Sequence, residues 1–155
     1  MKPHITKISE NGLKTLTGFE GYSSRPYFDS GDVATIGHGT IRYPDGRRVT
    51  MQDKWITPML ARAYMIHDLV HFESGVDGLT VDTLSQNQFD ALVCFAYNVG
   101  TNALKGSTLL KKVNRNPDDA LIAEEFTKWI FAAGKKIKGL LTRRNKESQL
   151  YFLKA

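Results

Sequence analysis

The sequence predicts an α+β chain, mostly α-helical, with one small antiparallel sheet near its beginning. Three observations carry this. Helix start signals recur along the chain at Ser9, at Thr57-Pro58 and at Ser85 with Gln88 three residues later. Between residues 22 and 50 the helical spacing of apolar residues gives way to aromatic and β-branched residues interleaved with Gly, Asp and Pro. Neither an internal repeat nor a low-complexity tract interrupts the 155 residues, a length that suits one domain and can bury a core without staples.

Ser9 is placed to cap a first helix, with Ile8 and Leu13 at the two ends of a hydrophobic staple. Leu13, Leu16 and Phe19 line one apolar face, and Gly18 and Gly21 end the helix with Glu20 at its mouth. Residues 22–50 read as short strands, with a turn at Pro44-Asp45-Gly46, where glycine accepts the backbone angles a tight turn requires. A long helix starts at Pro58 and is expected to run to about Glu73, stopped by Gly75. The Ser85–Gln88 capping box opens a helix whose apolar residues include Phe89, Leu92, Val93 and Ala96. Asn116-Pro117-Asp118-Asp119 repeats the start signal, and a last helix covers about Leu140 to Phe152. The expected organisation is a single domain with an N-terminal lobe at about 1–57, a connecting helix at about 58–74 and a helical C-terminal lobe at about 75–155.

A single cysteine, Cys94, excludes an internal disulfide and sits in an apolar run, where it reads as a small buried hydrophobe. The first residues lack the apolar stretch of a secretion signal, and no window reaches the ~20 apolar residues of a membrane span. The expectation is synthesis as a soluble chain in a cytoplasm. Charge is uneven around the net +5. Residues 1–104 hold nine Lys and Arg against eleven Asp and Glu, whereas residues 105–155 hold twelve against five. Such asymmetry points to an anionic partner, which could be nucleic acid, acidic lipid or an acidic cell wall. The densest basic stretch comprises Lys135, Lys136, Lys138, Arg143, Arg144 and Lys146, read as a solvated helix face with weak contact to anionic membrane as the alternative.

The chemistry concentrates between Phe19 and Gly39. Cleaving a glycosidic bond needs two carboxyl groups, one to protonate the leaving oxygen and one to activate water or attack the sugar. Glu20 at a helix end and Asp29 in the following sheet are a candidate pair, although two acids nine positions apart occur in many chains. His67 and His71 have a zinc-compatible spacing but lack a third ligand and the Glu of a metalloprotease motif, so they read as ordinary histidines.

The wider pattern is more specific. Phe19-Glu20-Gly21, then Asp29, then Ala34-Thr35-Ile36-Gly37 resemble the active-site signature of the phage-type lysozymes, the endolysins of tailed bacteriophages. The resemblance extends over nearly the whole chain, through Ile8-Ser9-Glu10-Asn11-Gly12-Leu13, Tyr43-Pro44-Asp45-Gly46, Gln88-Phe89-Asp90-Ala91-Leu92-Val93, Phe95-Ala96-Tyr97-Asn98-Val99-Gly100, Ser107-Thr108-Leu109-Leu110 and Gly139-Leu140 with Arg143, Arg144 and Glu147. It implies a two-lobed lysozyme fold that hydrolyses the β-1,4 bond between N-acetylmuramic acid and N-acetylglucosamine in peptidoglycan. Glu20 would be the general acid, Asp29 the base and Thr35 its partner in orienting water, the inverting arrangement.

By the same resemblance the enzyme needs no metal or organic cofactor, acts as a monomer, does not bind nucleic acid and reaches the wall through a membrane hole made by a holin. Asn98 matches a position that faces substrate, though a helix-end cap is an equal reading. His38 stands where family members often carry tyrosine, so it either touches substrate, tunes the pH response or is a tolerated replacement. Two other functions stay open: a lytic transglycosylase, which needs only one Glu and no attacking water, and a non-catalytic basic module that binds cell wall.

Overall fold

A computed structural model of the chain describes residues 3–81 and 83–154. The chain divides into two compact units, one of Met1–Leu13 with Phe72–Ala155 and the other of Lys14–His71. The α+β, mostly helical class is observed. Among the described residues the elements run α1 (Glu10–Glu20), β1 (Ser23–Phe28), β2 (Ala34–Gly37), α2 (Pro58–Leu79), α3 (Gln86–Val99), α4 (Thr101–Gly106), α5 (Thr108–Arg115), α6 (Ile122–Thr127), β3 (Phe131–Ala132), β4 (Lys135–Lys136) and α7 (Lys138–Phe152).

The unit of residues 14–71 is built on the β1–β2 pair. The strands are antiparallel, with Tyr27 opposite Thr35 and Phe28 opposite Ala34, and the register slips between Ser23 and Tyr27. Single bridges at Ile36–Thr40 and Arg42–Arg48 extend the sheet, and the expected turn closes with the Gly46 N–H donating to the Tyr43 carbonyl at 2.9 Å. Gly46 takes a φ of +89°, the conformation that made glycine the turn signal there. Ile36, Tyr43 and Val49 form the core, packed by Ala34, Ile56 and Tyr64. Thr57 caps α2, its Oγ1 accepting from the Leu60 N–H at 3.1 Å.

Asp68 on α2 is half-buried, and burial raises its carboxyl pKa against the opposing pull of a Thr40 hydrogen bond and His67. The native state therefore keeps a proton that the unfolded chain releases near pH 4. Stability attributable to this group is present below that pH and is lost as pH rises through the native value. Asp68→Asn is expected to raise the thermal midpoint at pH 7, with the gain shrinking below about pH 4. Melting curves at the two pH values check this, and a gain independent of pH would contradict it.

The other unit is organised around α3. Its residues Gln88 to Ala96 are all buried, an all-round burial suited to a central helix, and α7 packs along it. Both arms of the Ser85–Gln88 capping box are present. The Phe95 ring meets Phe126 and Trp129 edge-on at 5.7 and 5.6 Å. Asp90, fully buried on α3, holds the N-cap of α1: it accepts from the Ser9 N–H at 3.0 Å and from the Ser9 hydroxyl. Gly12 permits this contact, since a Cβ there would lie 2.6 Å from the Asp90 carboxyl. Cys94 is buried as expected and donates to the Gly12 carbonyl at 3.9 Å.

Four details differ from the sequence reading. Helix α2 does not stop before Gly75 but runs on to Leu79. Gly75 is there for close packing, because a Cβ would meet Thr101 Cγ2 at 2.6 Å. The run Asn116-Pro117-Asp118-Asp119 is not the start of a helix. Asn116 and Asp119 each accept from the N–H two residues on, closing turns that delay α6 to Ile122. Strands β3 and β4 form an unforeseen hairpin whose two-residue turn, Ala133-Gly134, has positive φ at both positions. Finally, Arg143 and Arg144 are not on a solvated basic face. They are buried, paired with Glu147, and only Lys135, Lys136, Lys138 and Lys146 of that stretch are exposed.

Candidate active site

Glu20, Asp29 and Thr35 all lie in the unit of residues 14–71. Glu20 is the last residue of α1, which ends because Gly21 turns to a φ of +68° while its N–H still donates to the Thr17 carbonyl at 3.0 Å. The carboxyl is thus carried at a helix end, half-buried.

Asp29 follows the last residue of β1 and opens the loop to β2. Its Oδ1 accepts from the Gly31 N–H at 2.8 Å and the Val33 N–H at 2.9 Å, and its own N–H donates to the Val33 carbonyl at 3.0 Å. Asp32 takes the positive φ of the loop, a conformation Asp tolerates better than most residues. One carboxylate oxygen of Asp29 therefore holds the loop, and no bond to Oδ2 is present among the described residues. Thr35 is 2% exposed, and its hydroxyl donates to the Val33 carbonyl at 2.8 Å. With its single proton committed, Oγ1 has lone pairs left to accept with.

Tyr27 joins these residues and was missed in the sequence. It faces Thr35 across the ladder, and it lies two residues before Asp29, the strand spacing that returns side chains to one face. Burial raises the pKa of its phenol, and the charges of Glu20 and Asp29 raise it further. Both carboxylates thus lie within electrostatic reach of one hydroxyl. The i, i+2 spacing in a strand was the available signal.

His38, half-buried after β2, has Nδ1 against the Gly21 carbonyl, and its ring lies 5.7 Å from that of Tyr22. A carbonyl only accepts, so Nδ1 carries the proton in this contact. His38 thereby ties the residue after Glu20 to the end of β2. Asn98 belongs to the other unit, on the last turn of α3, where its Oδ1 accepts from the buried Arg144 guanidinium. That guanidinium also donates to the Trp129 carbonyl at 2.9 Å and pairs with Glu147.

Residues 17–147 match the family model described as phage lysozyme. The chain is 37% identical over 145 residues to the endolysin of Bacillus phage PZA, covering 94% of this chain but only 55% of that protein. It is 35% identical over 147 residues to the endolysin of Salmonella phage P22, covering 95% and 99% of the two chains. Its fold superimposes on the endolysin from Escherichia coli O157:H7 phage FAHEc1 with a TM-score of 0.88 at 35% identity, covering 98% of this chain and 96% of that one. The chain thus spans about half the length of its Bacillus phage relative and nearly all of the P22 protein. The helix-end carboxyl, the hairpin carboxylate and the cross-strand threonine stand within the matched segment, and the chain belongs to the phage lysozyme family.

Proposed function

We propose that this chain is a muramidase endolysin that hydrolyses the β-1,4 bond between N-acetylmuramic acid and N-acetylglucosamine in bacterial peptidoglycan. The observation that carries the reading is that Asp29, with Oδ1 held by its loop, and Thr35, with its hydroxyl proton committed to Val33, lie at the two ends of one loop in the same unit as the helix-end carboxyl of Glu20. Glu20 acts as general acid and delivers its proton to the leaving glycosidic oxygen. A water donates one O–H to Thr35 Oγ1, whose own proton is committed to Val33, and the other to Asp29 Oδ2. Asp29 takes the proton as the water adds to the anomeric carbon, giving inversion. Because Oδ1 is fixed by the Gly31 and Val33 N–H groups, the base is held without depending on substrate. Asn98 and His38 contact the sugar strand in this reading.

The decisive test is mass spectrometry of soluble products from purified peptidoglycan digested in ¹⁸O-labelled water. Labelled reducing N-acetylmuramic acid ends are expected. Unlabelled anhydro ends would mean a transglycosylase and would remove Asp29 and Thr35 from the chemistry. Asp29→Asn keeps an oxygen to hold the loop but loses the base, and hydrolysis is expected to fall by about 10²-fold or more with the fold retained. Turnover within a fewfold of the parent would contradict the assignment.

Supply to the wall follows from the same reading: the chain is made in the host cytoplasm, acts as a monomer and passes a membrane opening formed by a holin. The exposed Lys135, Lys136 and Lys138 give it weak affinity for anionic membrane on the way. No helix among the described residues is long and apolar enough to cross a membrane.

A further inference from the structure

A pocket of about 490 Å³ opens in the unit of residues 14–71, away from the residues assigned above. Its walls are aromatic and aliphatic, with Tyr43, Tyr64, Trp55 and Leu60, and its rim carries Arg47 and Lys54. Trp55 is 65% exposed, a large apolar surface to leave facing water. The Arg25 guanidinium lies 4.3 Å from the centre of its ring. Two cations, Arg47 and Lys54, therefore line the cavity, and a third, Arg25, lies against the ring of Trp55.

The one carboxylate in the pocket does not cancel them. Asp53 accepts from the Tyr43 hydroxyl at 2.6 Å, from the Thr50 N–H at 2.9 Å and from the Thr50 hydroxyl at 2.8 Å, and Arg47 lies 3.6 Å away. Those hydrogen bonds, Tyr43 first, hold its pKa down at about 2, so it remains a structural anion. Lys54 makes no ion pair among the described residues. The cavity thus offers apolar walls, a cation in Lys54 that is not already paired, and a second in Arg47 that is shared with Asp45 and Asp53.

We propose that this pocket binds a carboxylate of the short peptide carried by the glycan substrate, with Lys54 and Arg47 as counter-ions and Trp55, Tyr64 and Leu60 as its apolar wall. The inference rests on the reading of the substrate as peptidoglycan, whose muramic acid residues bear short acidic peptides. The reach is right. The pocket is pinned to β1 because the Ile56 N–H donates to the Ser24 carbonyl at 2.8 Å and the Tyr22 hydroxyl to the Ile56 carbonyl at 3.1 Å. Asp29 lies five positions after Ser24, at most about 17 Å of extended chain. An extended peptide of about five residues spans the same distance. A glycan bound at Asp29 could therefore lay its peptide along β1 and place a carboxylate at the pocket.

The test is a titration of the full chain, labelled with ¹⁵N, by a synthetic tripeptide of L-Ala, γ-linked D-Glu and L-Lys. Trp55 is identified by loss of its indole signal in Trp55→Phe. Saturable movement of that signal is expected, weakened at least fivefold by Lys54→Gln, restored by Lys54→Arg, and weakened similarly when the peptide carboxylates are amidated. Lys54 is exposed, so its replacement leaves the fold intact. Equal binding of the amidated peptide would overturn the proposal, as would no movement of Trp55. Movement with chitotetraose but not with the peptide would make the pocket a sugar subsite and overturn it too. None of these readouts needs hydrolysis, so failure of the muramidase reading would show separately, in the product analysis.

Discussion

Glu20→Gln is expected to lower hydrolysis of purified cell walls by about 10²–10⁴-fold while the protein stays folded. The size follows from the chemistry. The leaving sugar oxygen is a poor leaving group unless protonated as the bond breaks, and an amide of the same shape has no proton to give. Helix α1 is expected to keep its end, which is set by the Gly21 turn and its bond to the Thr17 carbonyl. Turbidity clearing and near-ultraviolet circular dichroism on the same samples separate the two effects. Activity within a few-fold of the parent would remove Glu20 from the mechanism. Loss of the dichroism signal would mean that the carboxylate is structural.

Glu147→Gln is expected to cost about 3–5 kcal/mol of stability. Glu147 is fully buried and accepts from Arg143 Nε at 3.1 Å and from Arg144 Nη1. Burial pushes its pKa up and the two guanidiniums pull against that. The guanidiniums are themselves buried, and Arg143 also donates to the Cys94 carbonyl at 2.8 Å. Glutamine keeps the shape but removes the negative charge that two buried cations share, so they are left in a low-dielectric interior without it. Denaturant unfolding should show the midpoint shift at constant slope, and heating should show a drop of about 10 °C. A cost under about 1 kcal/mol would mean that solvent or other partners already satisfy the arginines.

The sequence was legible where local chemistry decides structure. Ser9, Thr57 and Ser85 announce helix starts through bonds to N–H groups within three residues, and each makes such a bond. It was misleading where a residue answers to a distant neighbour. Gly75 looks like a stop, but its reason is Thr101, which no local window contains. Asn116 and Asp119 have helix-start chemistry and spend it on successive turns. Arg143 and Arg144 look like surface charge until Glu147, four and three positions on, is counted with them. The hairpin at residues 131–136 was hidden because alanine, at Ala133, is not a residue that advertises positive φ. For the site, the triplet around Glu20 and the run around Thr35 were legible through family resemblance. Tyr27 was missed although its spacing to Asp29 was visible, because its place opposite Thr35 comes only from the strand pairing.

The division of the chain into a continuous segment and a split one bears on the order of assembly during translation. Lys14–His71 leaves the ribosome as one uninterrupted piece and can settle before the rest exists. Met1–Leu13 must wait for α3, because Ser9 docks on Asp90, 81 positions downstream, at a loop-closure cost of ~4 kcal/mol. At about 5–20 residues per second, the 28 residues from Phe72 to the end of α3 at Val99 take roughly 1–6 s to synthesise. For that interval the leading segment, with Ile8 and Leu13 unsheltered, is the part of the nascent chain most open to chaperones and proteases.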